Sequence, residues 1–295
     1  MKSLKKEDIN QEVFNLYDDY AHNKIDRRQF AEKLSLYAIG GLTVSSLMSF
    51  MMPDYQEKIQ VQANDPRLDS GFIEYDSPKG GGTIKGLLSQ PKGNATKLPG
   101  VVVVHENRGL NPHIEDVGRR AGLEGFISLA PDALTPLGGY PGTDDEGRTL
   151  QRKRDRGEML EDFIAAYTYL SKHPNCDGNI GVVGFCFGGW ISNMMAVRIP
   201  ELKAAVPFYG GQPEDADVPK INAALMLQYA GLDERVNAGW PDYEKALKVN
   251  NKEYVAHFYP DTNHGFHNDT TPRYDKDAAT LAWQRTVDFF KEKLK

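Results

Sequence analysis

The chain has 295 residues, with 35 Lys and Arg against 41 Asp and Glu, for a formal net charge of −6 at pH 7. Hydrophobic residues at 40% and charged residues at 26% are globular proportions, which exclude a disordered, collagen-like or polytopic membrane chain. The acidic balance also lacks the footprint of a general nucleic-acid binder.

Residues 1–33 are polar and helix-prone, whereas Leu34 to Pro53 is a run of twenty residues without a charge. Ahead of that run, Asp26-Arg27-Arg28-Gln29-Phe30 resembles a twin-arginine export signal. Val61-Gln62-Ala63 offers small residues where a signal peptidase would read. Against this stand the acidic residues before the arginines and the Gly40-Gly41 pair inside the run, which make it marginal as a spanning helix. Two alternatives result. Residues 27–53 meet the export machinery or membrane in transit, or residues 1–63 are a retained helical extension packed on the following domain or on a second subunit of a homo-oligomer. Localisation is exported in the first case and cytoplasmic in the second.

From about residue 70 the pattern alternates between strand and helix. Phe72–Tyr75 and Thr83–Leu88 flank Gly80-Gly81-Gly82 and predict an opening hairpin. Val101–Val104 has no polar alternation, as in a strand covered on both faces. Next come a helix near 112–124, a strand at 126–130, a Gly/Pro-rich loop at 135–147 and a helix around 149–172. Strands at 180–185, 204–209, 224–230 and 254–259 and a final helix from Asp277 complete the set. Such βα repetition predicts one α/β domain over residues 64–295, a mostly parallel sheet flanked by helices.

The chemistry gathers at strand ends. Gly184-Phe185-Cys186-Phe187-Gly188-Gly189 ends one strand and opens a helix, which is the Gly-x-nucleophile-x-Gly elbow with Cys in place of Ser. That turn projects the sulfur at a helix N-terminus, where the dipole favours thiolate and the Phe187 N–H is available to an oxyanion. Asp233 follows the strand at 224–230 and His264 the strand at 254–259, so acid and base come in the expected order on the same rim. His264-x-x-His267 has no third ligand at matching spacing, and Cys176 and Cys186 are not spaced as zinc ligands. No metal site and no cofactor are expected.

On these motifs the chain resembles the dienelactone hydrolase family over about residues 70–295. The resemblance implies an α/β-hydrolase fold and a Cys186-His264-Asp233 triad. It further implies that Glu106, after the third strand, contacts the thiol, and that the Asn107 N–H completes the oxyanion hole. Departures lie among the residues that would hold a substrate carboxylate. Arg273 follows His264 by nine residues, further than the family pattern, while Arg108, Arg148 and Arg152 are also at hand. Tyr140, Trp190, Trp240 and Phe266 are candidates for an aromatic mouth, with core packing as the alternative for each.

The expected activity is hydrolysis of a small ester or lactone through a Cys186 acyl-enzyme. Thiolate leaves a tetrahedral intermediate more readily than an alkoxide does, so activated esters and lactones suit it better than alkyl esters. Acyl transfer or peptidase chemistry on the same triad, and a non-catalytic binding role on the same fold, are the alternatives.

Overall fold

The computed structural model describes residues 4–55, 58–93 and 96–295. Among them, eight strands form one sheet: β1 (Leu68–Ser77), β2 (Gly82–Pro91), β3 (Leu98–Val104), β4 (Ile127–Pro131), β5 (Cys176–Phe185), β6 (Ala204–Phe208), β7 (Ala224–Ala230) and β8 (Tyr254–Tyr259). The α-helices are α1 (Gln11–Ala21), α2 (Arg27–Leu34), α3 (Val44–Met51), α4 (Pro112–Leu123) and α5 (Asp144–Gln151). They continue with α6 (Arg156–Lys172), α7 (Phe187–Arg198), α8 (Glu234–Asn237), α9 (Trp240–Val249) and α10 (Lys276–Lys293).

Spatial order in the sheet is β1-β2-β4-β3-β5-β6-β7-β8. β1 and β2 form the predicted hairpin, paired from Leu68↔Pro91 to Ser77↔Gly82, and β2 runs antiparallel to β4. The remaining pairings are parallel. The valine run in β3 shows why both faces are apolar. Val102 and Val104 join a core under α6, α7 and α9, while Val101 and Val103 join a second core under α4 and α10. Burying the same strand on both sides is what the absence of alternation requires.

The long helix expected around 149–172 is two helices. Thr143 caps α5, its hydroxyl accepting the Glu146 N–H. The Asp155 carboxylate accepts the N–H groups of Gly157 and Glu158 and starts α6 afresh. Local side-chain caps thus convert part of the predicted Gly/Pro loop into helix and divide the predicted helix in two.

The apolar run also differs from a single span. α2 ends at Leu34, a 3-10 turn covers Ser35–Tyr37, and Gly40 and Gly41 take left-handed φ of 62° and 93° before Thr43 caps α3. Among the described residues, no helix is long and apolar enough to cross a membrane. Residues of α1, α2 and α3 instead build a small core of their own around Tyr17, Phe30, Leu34 and Leu47, an N-terminal lobe seated on the carboxyl edge of the sheet. Residues that suggested an export signal serve this packing. Phe30 is fully buried and stacks on Tyr20 at 4.9 Å, and Arg27 pairs with Asp145 at 2.7 Å. Further on, Val61 is buried, its N–H donating to Asp116 and its carbonyl accepting from Arg119.

β5 passes into α7 through one residue, Cys186. The crossing is tight enough that a Cβ on Gly188 would lie 2.7 Å from His105 O and closer still to Val104 O. Both obstacles are backbone of the neighbouring strand end, which cannot swing aside. Gly188→Ala is therefore expected to destabilise the fold by about 3 kcal/mol, the upper end for overpacking. A urea midpoint equal to that of the wild type would contradict this reading of the elbow.

Candidate active site

Cys186 sits between strand and helix with φ 57° and ψ −110°, a left-handed conformation that only a small-neighboured, tightly held turn sustains. Its N–H donates to Phe208 O and its carbonyl accepts from the Gly189 N–H, which fix the turn. Phe187 is the first residue of α7, so its N–H has no acceptor within the helix.

Glu106 follows β3, Asp233 follows β7 and His264 follows β8, all at the carboxyl edge where Cys186 lies. His264 Nδ1 is 2.5 Å from Asp233 Oδ2, both side chains being buried. His264 Nε2 has no hydrogen-bond partner among the described residues, and a ring nitrogen of His264 lies within 4.8 Å of the Cys186 sulfur. Asp233 also caps α8, accepting the Val236 N–H, so the carboxylate is oriented by backbone as well as by imidazole.

A third element enters the site that the sequence did not suggest. His22, just beyond α1, places Nε2 3.3 Å from Cys186 Sγ. Its Nδ1 lies 2.8 Å from Asp18 O and 3.1 Å from Asp18 Oδ1. The His22 and His264 rings meet edge to face at 4.8 Å. The usable signal was Asp18-x-x-x-His22, whose i,i+4 spacing puts a carboxylate and an imidazole on one helix face.

These charges set the protonation states. Burial pushes the Cys186 thiol up, but the charges of His264 and His22, with the His22 hydrogen bond, outweigh it and hold the thiol well below its ordinary range. For His264, burial works against the charged ring. Asp233, Cys186 and Asp18 prevail and raise it to about 10. Burial likewise opposes charging of His22, and Cys186 and Asp18 raise it nonetheless. The three shifts agree in direction, each favouring the charged form of its group beside the others.

The remaining expected residues fall into place differently. Glu106 is buried, accepts a hydrogen bond from Asn268 at 3.1 Å and pairs with Arg108 at 3.4 Å. Its other oxygen has no partner among the described residues, so it is not hydrogen-bonded to the thiol as the resemblance implied. Burial favours its neutral form, but Arg108, His113 and Arg273 hold it lowered and ionised. Arg108 bridges Glu106 and Asp144 and is fully enclosed, which makes it a poor substrate anchor. Arg273 is equally enclosed, 3.7 Å from Asp18 and over the Tyr17 ring.

Phe266 is a core residue packed on Tyr259 and Tyr209 rather than a mouth residue. Tyr140 hydrogen-bonds Asp144, in the shell behind Arg108. Trp190 lies under the Arg156 guanidinium at 3.4 Å. Asn107 is at the site, where its side chain donates to Ala21 O and so holds the lobe. His267 is buried against Phe185, and burial together with the charges of His113 and Arg120 keeps its ring well below the usual range.

His22, Cys186 and His264 bring one nitrogen, one sulfur and one nitrogen within 4.8 Å of one another, the His/Cys set with metal-ligand spacing among the described residues. Within this set His22 Nε2 hydrogen-bonds the sulfur at 3.3 Å and the two rings meet edge to face. A cavity of about 480 Å³ opens between α1 and the loops after β7 and β8, lined in part by Asp18, Asp233, Arg235, His264 and Arg273. It gives a small polar molecule a route to the dyad.

Known proteins share this architecture. The profile of the dienelactone hydrolase family matches residues 84–294, and a YqhI-like profile matches residues 1–39. A hydrolase fragment of Escherichia coli named YghX is 49% identical over 114 residues, covering 39% of this chain and 97% of the fragment. A candidate carboxymethylenebutenolidase of Saccharolobus solfataricus is 30% identical over 257 residues, covering 74% of this chain and 97% of that protein. The crystal structure of a candidate dienelactone hydrolase from Klebsiella pneumoniae superposes with a TM-score of 0.66 at 26% identity, covering 76% of this chain and 99% of that one.

A thiolate held by two imidazoles should react at acid pH. Iodoacetamide is expected to alkylate Cys186 at pH 6 at a rate within a few-fold of that at pH 8. An ordinary thiol would slow by about 75-fold over the same interval. Cys176, whose thiol burial pushes up, should stay unmodified. An ordinary thiol profile at Cys186 would contradict the charge balance described.

Proposed function

The chain belongs to the dienelactone hydrolase family, and from that premise we propose that it hydrolyses activated esters or lactones through a thioester on Cys186. The observation that carries this reading is the convergence of the buried His264–Asp233 pair, 2.5 Å apart, on a sulfur at the N-terminus of α7. Orientation of imidazole by carboxylate beside a nucleophile is the arrangement that acyl transfer requires.

In acylation the Cys186 thiolate attacks the carbonyl carbon, and the carbonyl oxygen takes the negative charge. The backbone N–H groups of Phe187 and Asn107 are the proposed donors to that oxygen. Donors so placed are worth about 2.7–4 kcal/mol each where they have been removed by mutation. As the carbon–oxygen bond to the leaving group breaks, the His264 imidazolium gives its Nε2 proton to the departing oxygen. The ring is then neutral and takes a proton from water, whose oxygen attacks the thioester. Collapse of the second intermediate releases the acid and restores the thiolate and imidazolium. Asp233 keeps its charge throughout and fixes the ring through Nδ1.

The choice of sulfur limits the substrate. In the first intermediate the thiolate competes with the departing oxygen, and a simple alkoxide loses that contest. Enol lactones and aryl esters, with better leaving groups, go forward. Because Arg108 and Arg273 are enclosed in ion pairs and ring contacts, a carboxylate-bearing dienelactone is not a substrate this reading requires.

Turnover of 4-nitrophenyl acetate is expected to exceed that of ethyl acetate by at least about 100-fold in kcat/KM. Equal values would remove the leaving-group argument. Cys186→Ala should lose at least about 1000-fold in kcat on an enol lactone while keeping its urea midpoint within error. Undiminished turnover in that variant would take Cys186 out of the reaction.

A further inference from the structure

The triad accounts for His264 and Asp233 but leaves His22 unexplained, although among the described residues His22 is the imidazole hydrogen-bonded to the nucleophile. We propose that the N-terminal lobe is a working part of the active site, in which Asp18 and His22 form a second carboxylate–imidazole dyad on the Cys186 sulfur. In this role His22 shares with His264 the task of keeping the sulfur ionised and aimed. The inference rests on the reading of Cys186 as the nucleophile and adds a catalytic residue to it.

The geometry parallels that of the first dyad. His264 Nδ1 lies 2.5 Å from Asp233 Oδ2, while His22 Nδ1 lies 3.1 Å from Asp18 Oδ1, hydrogen-bonds Asp18 O at 2.8 Å and leaves Nε2 3.3 Å from the sulfur. A carboxylate on Nδ1 fixes the tautomer and orientation of the ring. The groups facing His22 come from every packed element: Asp18 from α1, Cys186 from the start of α7, Arg235 from α8 and His264 from the loop after β8. Arg235 lies 3.2 Å from His22 Nε2 and 3.2 Å from His264 Nδ1, a cation that opposes charging of both rings. It is itself met by Asp18 at 3.4 Å and Asp233 at 4.0 Å, and Arg156 adds a more distant positive charge to the sulfur's surroundings. Thiolate, Asp18 and Asp233 thus stand against His22, His264 and Arg235.

The lobe is anchored as a part that stays. Asn107 donates to Ala21 O, Tyr20 donates to Asp145, and Arg152 donates to Asn23 Oδ1. These bonds bracket His22 on both sides, and Asp18 pairs with Arg235 and Arg273 beneath it. A cleavage after Ala63 would remove the dyad from the enzyme. The working form is therefore the chain with its first 63 residues in place.

The test is the alkylation of Cys186 by iodoacetamide, followed by mass spectrometry on the full-length protein in EDTA-containing buffer, for wild type, His22→Gln and Asp18→Asn. His22→Gln is expected to slow alkylation at pH 6 by about fivefold or more, the effect of raising by at least one pH unit a thiol half ionised there, and to narrow the gap at pH 9. Asp18→Asn should move the profile in the same direction by less. Limited proteolysis run alongside should leave the lobe as resistant in Asp18→Asn as in wild type, separating loss of charge from loss of docking. An unchanged profile in both variants would overturn the proposal. Faster alkylation or faster ester turnover in His22→Gln would also overturn it, because the lobe would then be a plug. A wild-type protein whose Cys186 behaves as an ordinary thiol would instead refute the nucleophile reading itself.

Discussion

In the proposed mechanism one buried charge organises the site. The sulfur of Cys186 lies at the carboxyl edge of a parallel sheet, out of water, and burial there penalises a thiolate severely. Everything around it offsets that penalty: the N-terminus of α7, the imidazoles of His264 and His22, and the carboxylates that keep those imidazoles charged. The elbow has to be tight for the sulfur to reach this position. That is why Gly188 passes against the carbonyls of Val104 and His105 with no room for a side chain, and why Cys186 carries a left-handed backbone.

The same charge explains the layering of the polar shell. Asp233 and Asp18 lie one step from the sulfur, through a histidine each. Arg235 ties both carboxylates together. Glu106, Arg108 and Asp144 form a further buried chain in which each charge has an opposite neighbour. Groups that look from sequence like free substrate ligands are held inside this network. The lining of the cavity beside Asp18, Arg235 and His264 does not include the enclosed Arg108 or its partners, Glu106 and Asp144.

Much of this was legible in the chain. The strand at Val101–Val104, the Gly-x-Cys-x-Gly elbow and the placement of Asp233 and His264 just past β7 and β8 are local patterns, each readable within about ten residues. What was not legible depends on distant partners. His22 meets a sulfur 164 positions away, and its surroundings read only as polar and helix-prone. Arg27, Arg28 and Phe30 matched an export signal, but a signal and an amphipathic helix share composition. In the fold Phe30 packs against Tyr17 and Tyr20, a contact that the local composition does not disclose. Phe266 and Arg273 follow His264 closely in sequence, yet the turn after β8 sends both inward, a direction that spacing alone does not specify. The break between α5 and α6 turned on a single cap at Asp155.

The central claim is that the buried sulfur becomes covalently acylated. Rapid mixing of the full-length protein with 4-nitrophenyl acetate, acid quenching and peptide mapping by mass spectrometry would test it most directly. The account predicts one acetyl group on the Cys186 peptide, formed in the burst and lost as turnover proceeds. An acetyl group on another residue, or a burst of nitrophenol with no adduct at Cys186, would contradict it.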